Sequence, residues 1–117
     1  MAGWLAENTV VIKNGFRSNA KSLYVHCHST DKDLGEHWLA RGQKYSWSFN
    51  VNIWMTTRFD CYVQWGSKKK SFKAYDFSGY YCCVDKGIVT WTIREDGLLA
   101  SSKEKDIKED LAFLHWN

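Results

Sequence analysis

Residues 43–51 read QKYSWSFNV, with Tyr45, Trp47, Phe49 and Val51 alternating against Lys44, Ser46, Ser48 and Asn50 without a break. Successive side chains of an extended chain point to opposite faces, so this stretch specifies a half-buried antiparallel strand. The same period recurs on both sides of it. Residues 58–65 (RFDCYVQW) align Phe59, Cys61, Val63 and Trp65, and residues 22–28 (SLYVHCH) set Leu23, Val25 and Cys27 against Tyr24, His26 and His28. Downstream, Val89, Trp91 and Ile93 oppose Thr90, Thr92 and Arg94, ahead of a Glu95-Asp96-Gly97 turn.

The remaining segments fill in around these strands. Thr9 to Ile12 is a β-branched strand closed by Asn14-Gly15, and Gly66-Ser67-Lys68 turns the 58–65 strand into a partner over Ser71–Tyr75. Ser29–Glu36 (STDKDLGE) reads as a polar loop, followed by a short edge strand at Trp38-Leu39 and a turn at Arg41-Gly42. Lys103–Asp110 fits a helix, because Ile107, Leu111 and Leu114 fall at helical spacing, or a polar loop leading into a last strand over Leu111–Trp116. The strand is preferred, since a sheet can dock the terminal His115-Trp116. The expected fold is all-β: a small antiparallel β-sandwich of about seven or eight strands with disulfide bonds.

A chain of 117 residues supports one domain, with residues 1–7 read as flexible or extraneous to it. Aromatic residues make up 16% of the chain, including seven Trp, so they must fill much of the interior and disorder is excluded. The net charge of +3 is too mild to imply nucleic acid unless it is concentrated, and Lys68-Lys69-Lys70 is the one dense run. No apolar stretch is long enough to span a bilayer, and Met1–Thr9 lacks the features of a secretory signal. The chain is therefore either cytosolic or a mature form with an added start. Four cysteines in a small β-rich chain favour an oxidising compartment, and there is no Asn-x-Ser/Thr acceptor.

Cys27, Cys61, Cys82 and Cys83 are the disulfide candidates. Cys27 and Cys61 fall on the core-facing sides of their strands, where opposed residues of packed sheets come within bridging distance. Closing Cys82 on Cys83 demands a strained ring, so elimination favours the two pairings that join Cys27 and Cys61 to the doublet. Either pairing requires an irregular backbone at the doublet, because neighbours in a strand point oppositely; otherwise one cysteine stays free.

Signals for chemistry are sparse. His26 and His28 form an H-x-H pair with Asp31, Asp33, Glu36 and His37 near in sequence, but an exposed polar face beside an acidic loop is the better reading. The doublet lacks the two-residue gap of a redox or zinc site. No Ser-His-Asp signature, paired-carboxylate motif or phosphate-binding glycine loop is present, so neither an enzyme nor a cofactor is expected. Tyr24 and Tyr62, with Lys68–Lys70, fit base or sugar stacking less well than an ordinary outer sheet face.

The order of motifs adds a further reading. Val10-Val11-Ile12-x-Asn14, Leu23–Ser29 (LYVHCHS), Asp33-Leu34-Gly35-x-x-Trp38-Leu39, Tyr45–Phe49 (YSWSF), Thr57-x-Phe59-x-Cys61, Phe72-x-Ala74-Tyr75-Asp76, Trp91-x-x-x-Glu95-Asp96-Gly97 and His115-Trp116 occur in the order that resembles the plant self-incompatibility protein S1 family. The resemblance spans nearly the whole chain. It implies a small secreted β-sandwich with disulfides, made with a signal peptide that this chain lacks, acting as an extracellular ligand; in some plants such proteins are stigma determinants that meet incompatible pollen. Recognition of a cell-surface partner, not catalysis, is what it implies. The family carries its last cysteine two residues before the conserved tryptophan, where this chain has Val89, so the doublet stands as a relocated half-cystine.

The expected function is thus that of a secreted, monomeric binding or signalling protein whose partner is a receptor or other extracellular protein, with neither nucleic acid nor membrane insertion. Its contacts are expected on two loops: Asp31–His37, with Asp31, Lys32 and Asp33, and the Gly66–Lys70 hairpin tip, with Ser67, Lys68, Lys69 and Lys70. The basic tip is the favoured surface. The alternative is a carbohydrate- or cell-wall-binding β-sandwich module, which would display an exposed coplanar aromatic pair.

Overall fold

A computed structural model describes residues 4–52, 57–76, 87–104 and 107–117. Nine strands run through the described residues: β1 (Trp4–Asn14), β2 (Leu23–His28), β3 (Asp33–Leu39), β4 (Lys44–Asn52), β5 (Arg58–Trp65), β6 (Lys68–Asp76), β7 (Ile88–Arg94), β8 (Gly97–Glu104) and β9 (Ile107–Leu114). They form a five-stranded sheet, β4-β1-β7-β8-β9, and a four-stranded sheet, β3-β2-β5-β6. Neighbouring strands are antiparallel except β1 and β7, which run parallel from Thr9 opposite Ile88 to Asn14 opposite Ile93.

Apolar alternation builds the core. Val10, Ile12, Val89, Trp91, Ile93, Leu98 and Ala100 from the larger sheet meet Leu23, Val25, Cys27, Phe59, Val63, Phe72 and Ala74 from the smaller, all buried. Each large side chain so removed from water contributes about 1.5–3 kcal/mol. Trp91 joins the two layers. Its ring lies 4.6 Å from that of Phe72, and its Nε1 donates to the Ala74 carbonyl at 3.0 Å, so its one polar atom is satisfied inside the core.

Several expectations are corrected. The all-β sandwich with a disulfide is the expected fold, refined by one parallel pair, β1 with β7, and by a ninth strand, β8, after the Glu95–Gly97 turn. β1 begins at Trp4, opposite Asn52, so the first strand reaches back before Thr9, with a register shift between Trp4 and Glu7. The 29–36 loop is confined to Ser29–Lys32, where Ser29 N–H donates to the Lys32 carbonyl at 2.7 Å. The polar residues after it form β3 because its outward face stays in water. The last strand starts at Ile107, replacing the helical alternative, and ends before His115-Trp116. Lys68, Lys69 and Lys70 are the first residues of β6, leaving Gly66-Ser67 as the turn.

Among the described residues a disulfide joins Cys27 to Cys61, the pairing that elimination set aside. The two residues are directly opposed on adjacent strands β2 and β5 of one sheet, with Cα atoms 4.1 Å apart, so the bridge lies within a layer and not between layers. Elimination failed because it required all four cysteines to pair among themselves at once. With Cys27 and Cys61 joined to each other, neither can take a partner from the doublet. Cys82 and Cys83, and with them the relocated half-cystine, lie outside the described residues.

Candidate functional site

One end of the sandwich collects the β1–β2 loop, the β3–β4 turn, the β5–β6 turn, the β7–β8 turn and the C-terminal residues. Buried polar groups fix these segments to one another. Asn14, fully buried at the end of β1, donates from Nδ2 to the Leu39 carbonyl at 2.9 Å and accepts from Phe16 N–H at 3.0 Å through Oδ1. Its carbonyl accepts from Gly42 N–H at 2.9 Å. Phe16 stacks on Trp65 with ring centres 4.4 Å apart, Trp65 Nε1 donates to the Lys21 carbonyl, and Trp116 Nε1 donates to the Arg94 carbonyl at 2.8 Å.

Glu95 ties the β7–β8 turn to the β1–β2 loop. Its Oε2 accepts from the backbone amides of Arg17 at 2.8 Å and Ser18 at 3.3 Å. Its own backbone amide, followed by those of Arg17 and Ser18, holds its carboxyl below the usual carboxylate range. Gly97 completes the turn because β9 passes too close for any side chain. A Cβ there would sit 2.4 Å from the Leu114 carbonyl and 2.6 Å from the Phe113 ring.

The same end is strongly basic. Exposed Lys69, half-buried Lys68 and Lys70, and exposed Ser67 lie on the β5–β6 hairpin. Lys70 Nζ donates to Asn117 Oδ1 at 3.1 Å, and the Lys21 stem lies across the Gly66 turn, whose positive φ of 60° suits glycine. Arg41 reaches Arg17, donating from Nη1 to its carbonyl at 3.0 Å. Arg94 bonds Asp96 and covers the Phe113 ring at 5.6 Å. Seven cationic side chains, Arg17, Lys21, Arg41, Lys68, Lys69, Lys70 and Arg94, gather in and beside these turns with two carboxylate side chains, Glu95 and Asp96, each already engaged within the molecule. A cleft of about 510 Å³ opens there, lined by Gly15, Arg17, Arg94, Glu95 and Asp96.

Strand direction separates the two surfaces expected from the sequence. Asp31, Lys32 and Asp33 lie at the opposite end of the four-stranded sheet from Ser67–Lys70, because β2 and β5 run antiparallel. Asp31 and Lys32 are exposed in a tight turn, whereas Asp33 is structural: its Oδ1 accepts from Gly35 N–H at 2.8 Å and meets His26 Nε2 at 2.7 Å. The Gly35 amide first and His26 second lower its carboxyl's pKa. Charges near that end pair off, Arg58 with Asp60 and Lys73 with Asp76. The sequence reading missed Arg17, Lys21, Arg41 and Arg94. Each lies in or beside a turn or loop, which was the available signal, but only the fold shows that these segments share an end.

The outer face of the smaller sheet carries Trp38, Tyr24 and Tyr62 in edge contact, at interplanar angles of 64° and 67°. Tyr24 donates to Glu36, and this bond pushes the phenol pKa up to about 12. Among the described residues the stacked aromatic pairs, Phe16 with Trp65 and His37 with Tyr45, have one ring buried or both half-buried, so no exposed coplanar sugar platform is formed. His26 and His28 lie 6.2 Å apart with His26 engaged by Asp33, and no three metal-ligating side chains converge among the described residues.

Comparison with known proteins gives concordant results. The family model described as plant self-incompatibility protein S1 matches residues 9–116. S-protein homolog 24 of Arabidopsis thaliana is 34% identical over 109 residues, covering 92% of this chain and 67% of the relative. Self-incompatibility protein S1 of Papaver rhoeas is 31% identical over 96 residues, covering 78% of this chain and 66% of that protein. S-protein homolog 5 of Arabidopsis thaliana is 40% identical over 78 residues, a match spanning 57% of its length. A solved structure of SPH (self-incompatibility protein homologue) proteins, described as small, highly stable and secreted from plants, aligns with a TM-score of 0.66 at 19% identity, covering 92% of this chain and 96% of that one.

Proposed function

Because the chain belongs to the plant self-incompatibility protein S1 family, we propose that it is a secreted extracellular binding and signalling protein, a ligand for a cell-surface partner. Its contact surface is the basic end, with Lys68, Lys69 and Lys70 at its margin, and the partner presents carboxylates or another anionic surface to it. The carrying observation is the concentration of seven cations there, of which Arg94 alone forms an ion pair among the described residues. Complementary charge of this kind speeds encounter and fixes orientation, and it weakens with salt.

Binding of the labelled protein to intact plant cells, measured across a salt series, tests the reading. Reversing Lys68, Lys69 and Lys70 to Glu is expected to reduce binding at least about tenfold at low salt and to flatten its salt dependence. Unchanged binding and an unchanged salt slope would remove the basic end from the contact.

A further inference from the structure

Among the described residues the sheets end on four margins, β4 and β9 in one, β3 and β6 in the other. Three carry features that discourage pairing with another strand. β3 holds Asp33, Glu36 and Gly35 at a φ of 84°, with a register shift against β2. β6 carries Lys68, Lys69, Lys70 and Lys73 and a shift against β5, and β9 has a register shift against β8. β4 differs. From Lys44 to Asn50 it keeps unbroken register with β1, contains neither glycine nor proline, and bears one charge, at Lys44.

Among the described residues, the hydrogen-bond pattern shows which β4 groups remain open. Asn14 N–H donates to the Gln43 carbonyl and Thr9 N–H to the Gly87 carbonyl, so even-numbered amides of β1 face β4 and odd-numbered ones face β7. By the antiparallel alternation, Tyr45, Trp47 and Phe49 bond β1, while the backbone of Lys44, Ser46, Ser48 and Asn50 points to the open margin. The inward aromatic side chains of β4 are only half-buried, unlike the buried inward residues of β7.

We propose that the open margin of β4 pairs antiparallel with β4 of a second copy of this chain, joining two five-stranded sheets into one. A two-fold axis at Trp47 sets Ser46 opposite the partner's Ser48, Tyr45 opposite the partner's Phe49, and Lys44 opposite the partner's Asn50. The single charge therefore meets a neutral amide, and no like charges oppose one another. This departs from the monomer expected from the sequence. One strand pair makes a small interface, so the dimer belongs in the weak, micromolar-to-millimolar range.

Sedimentation velocity of the full chain over a dilution series tests it. The wild-type chain is expected to dimerise with concentration, and Ser46→Pro, which removes an open-margin amide without touching the β1 bonds, to weaken dimerisation at least about tenfold while near-ultraviolet circular dichroism stays unchanged. Asn50→Lys should loosen the dimer, by opposing the partner's Lys44, and Asn50→Glu should tighten it. A chain that stays monomeric at millimolar concentration, a dimer indifferent to Ser46→Pro, or equal effects of the two Asn50 variants would overturn the proposal.

Discussion

Glu95 and Asp33 are surface carboxylates used as backbone acceptors, which gives the fold an acid limit. Both have folded-state pKa values lowered from ordinary values of 4.5 and 3.8. A carboxyl with a depressed folded-state pKa stabilises the fold above its unfolded value and loses that contribution as pH falls through the folded one. The thermal midpoint is therefore expected to decline as pH drops below about 4.5, and Glu95→Gln and Asp33→Asn should each flatten the profile. Tyr75 presents the opposite case. It is fully buried, its hydroxyl has no hydrogen-bond partner among the described residues, and burial pushes its pKa up to about 12. Tyr75→Phe keeps the ring against Phe49 and removes the unpaired group, so chemical denaturation should find the variant more stable by roughly 1 kcal/mol.

Within the smaller sheet, the Cys27–Cys61 bridge fastens β2 to β5 across a sequence separation of 34 residues. Chain entropy assigns such a link roughly 3–4 kcal/mol. Both cysteines are buried, so reductant should act on the native protein only as the sandwich opens, and Cys27→Ala with Cys61→Ala should lower the unfolding free energy by about that amount in a denaturant titration. The strands themselves were unequally legible. β2, β4, β5 and β7 could be read because each has an apolar inward face and a polar outward one. β3 could not, since Asp33, Glu36 and His37 look like loop residues until paired with β2, and the three lysines of β6 disguise an edge strand as a turn. The parallel β1–β7 pairing leaves no local trace, because register between distant strands is set by the assembled core.

Across the whole molecule, the run at Lys68–Lys70 was legible as charge, but the basic end was not. Arg17, Arg41 and Arg94 are far apart in the chain and meet only because β1, β3 and β7 all finish at the same end of the sandwich. Likewise Asn14, Trp91, Glu95 and Gly97, which carry the family resemblance, serve as pins and spacers of the scaffold. The placement of β1 also has a consequence for how the chain is made. β1 lies between β4 and β7, and its parallel neighbour β7 follows it only after five intervening strands. The β2–β3 and β5–β6 hairpins can assemble on the ribosome as they appear, but the larger sheet must wait with an apolar strand uncovered. The parallel β1–β7 pairing therefore closes a long stretch of chain, and long-range pairing of this kind favours slow folding.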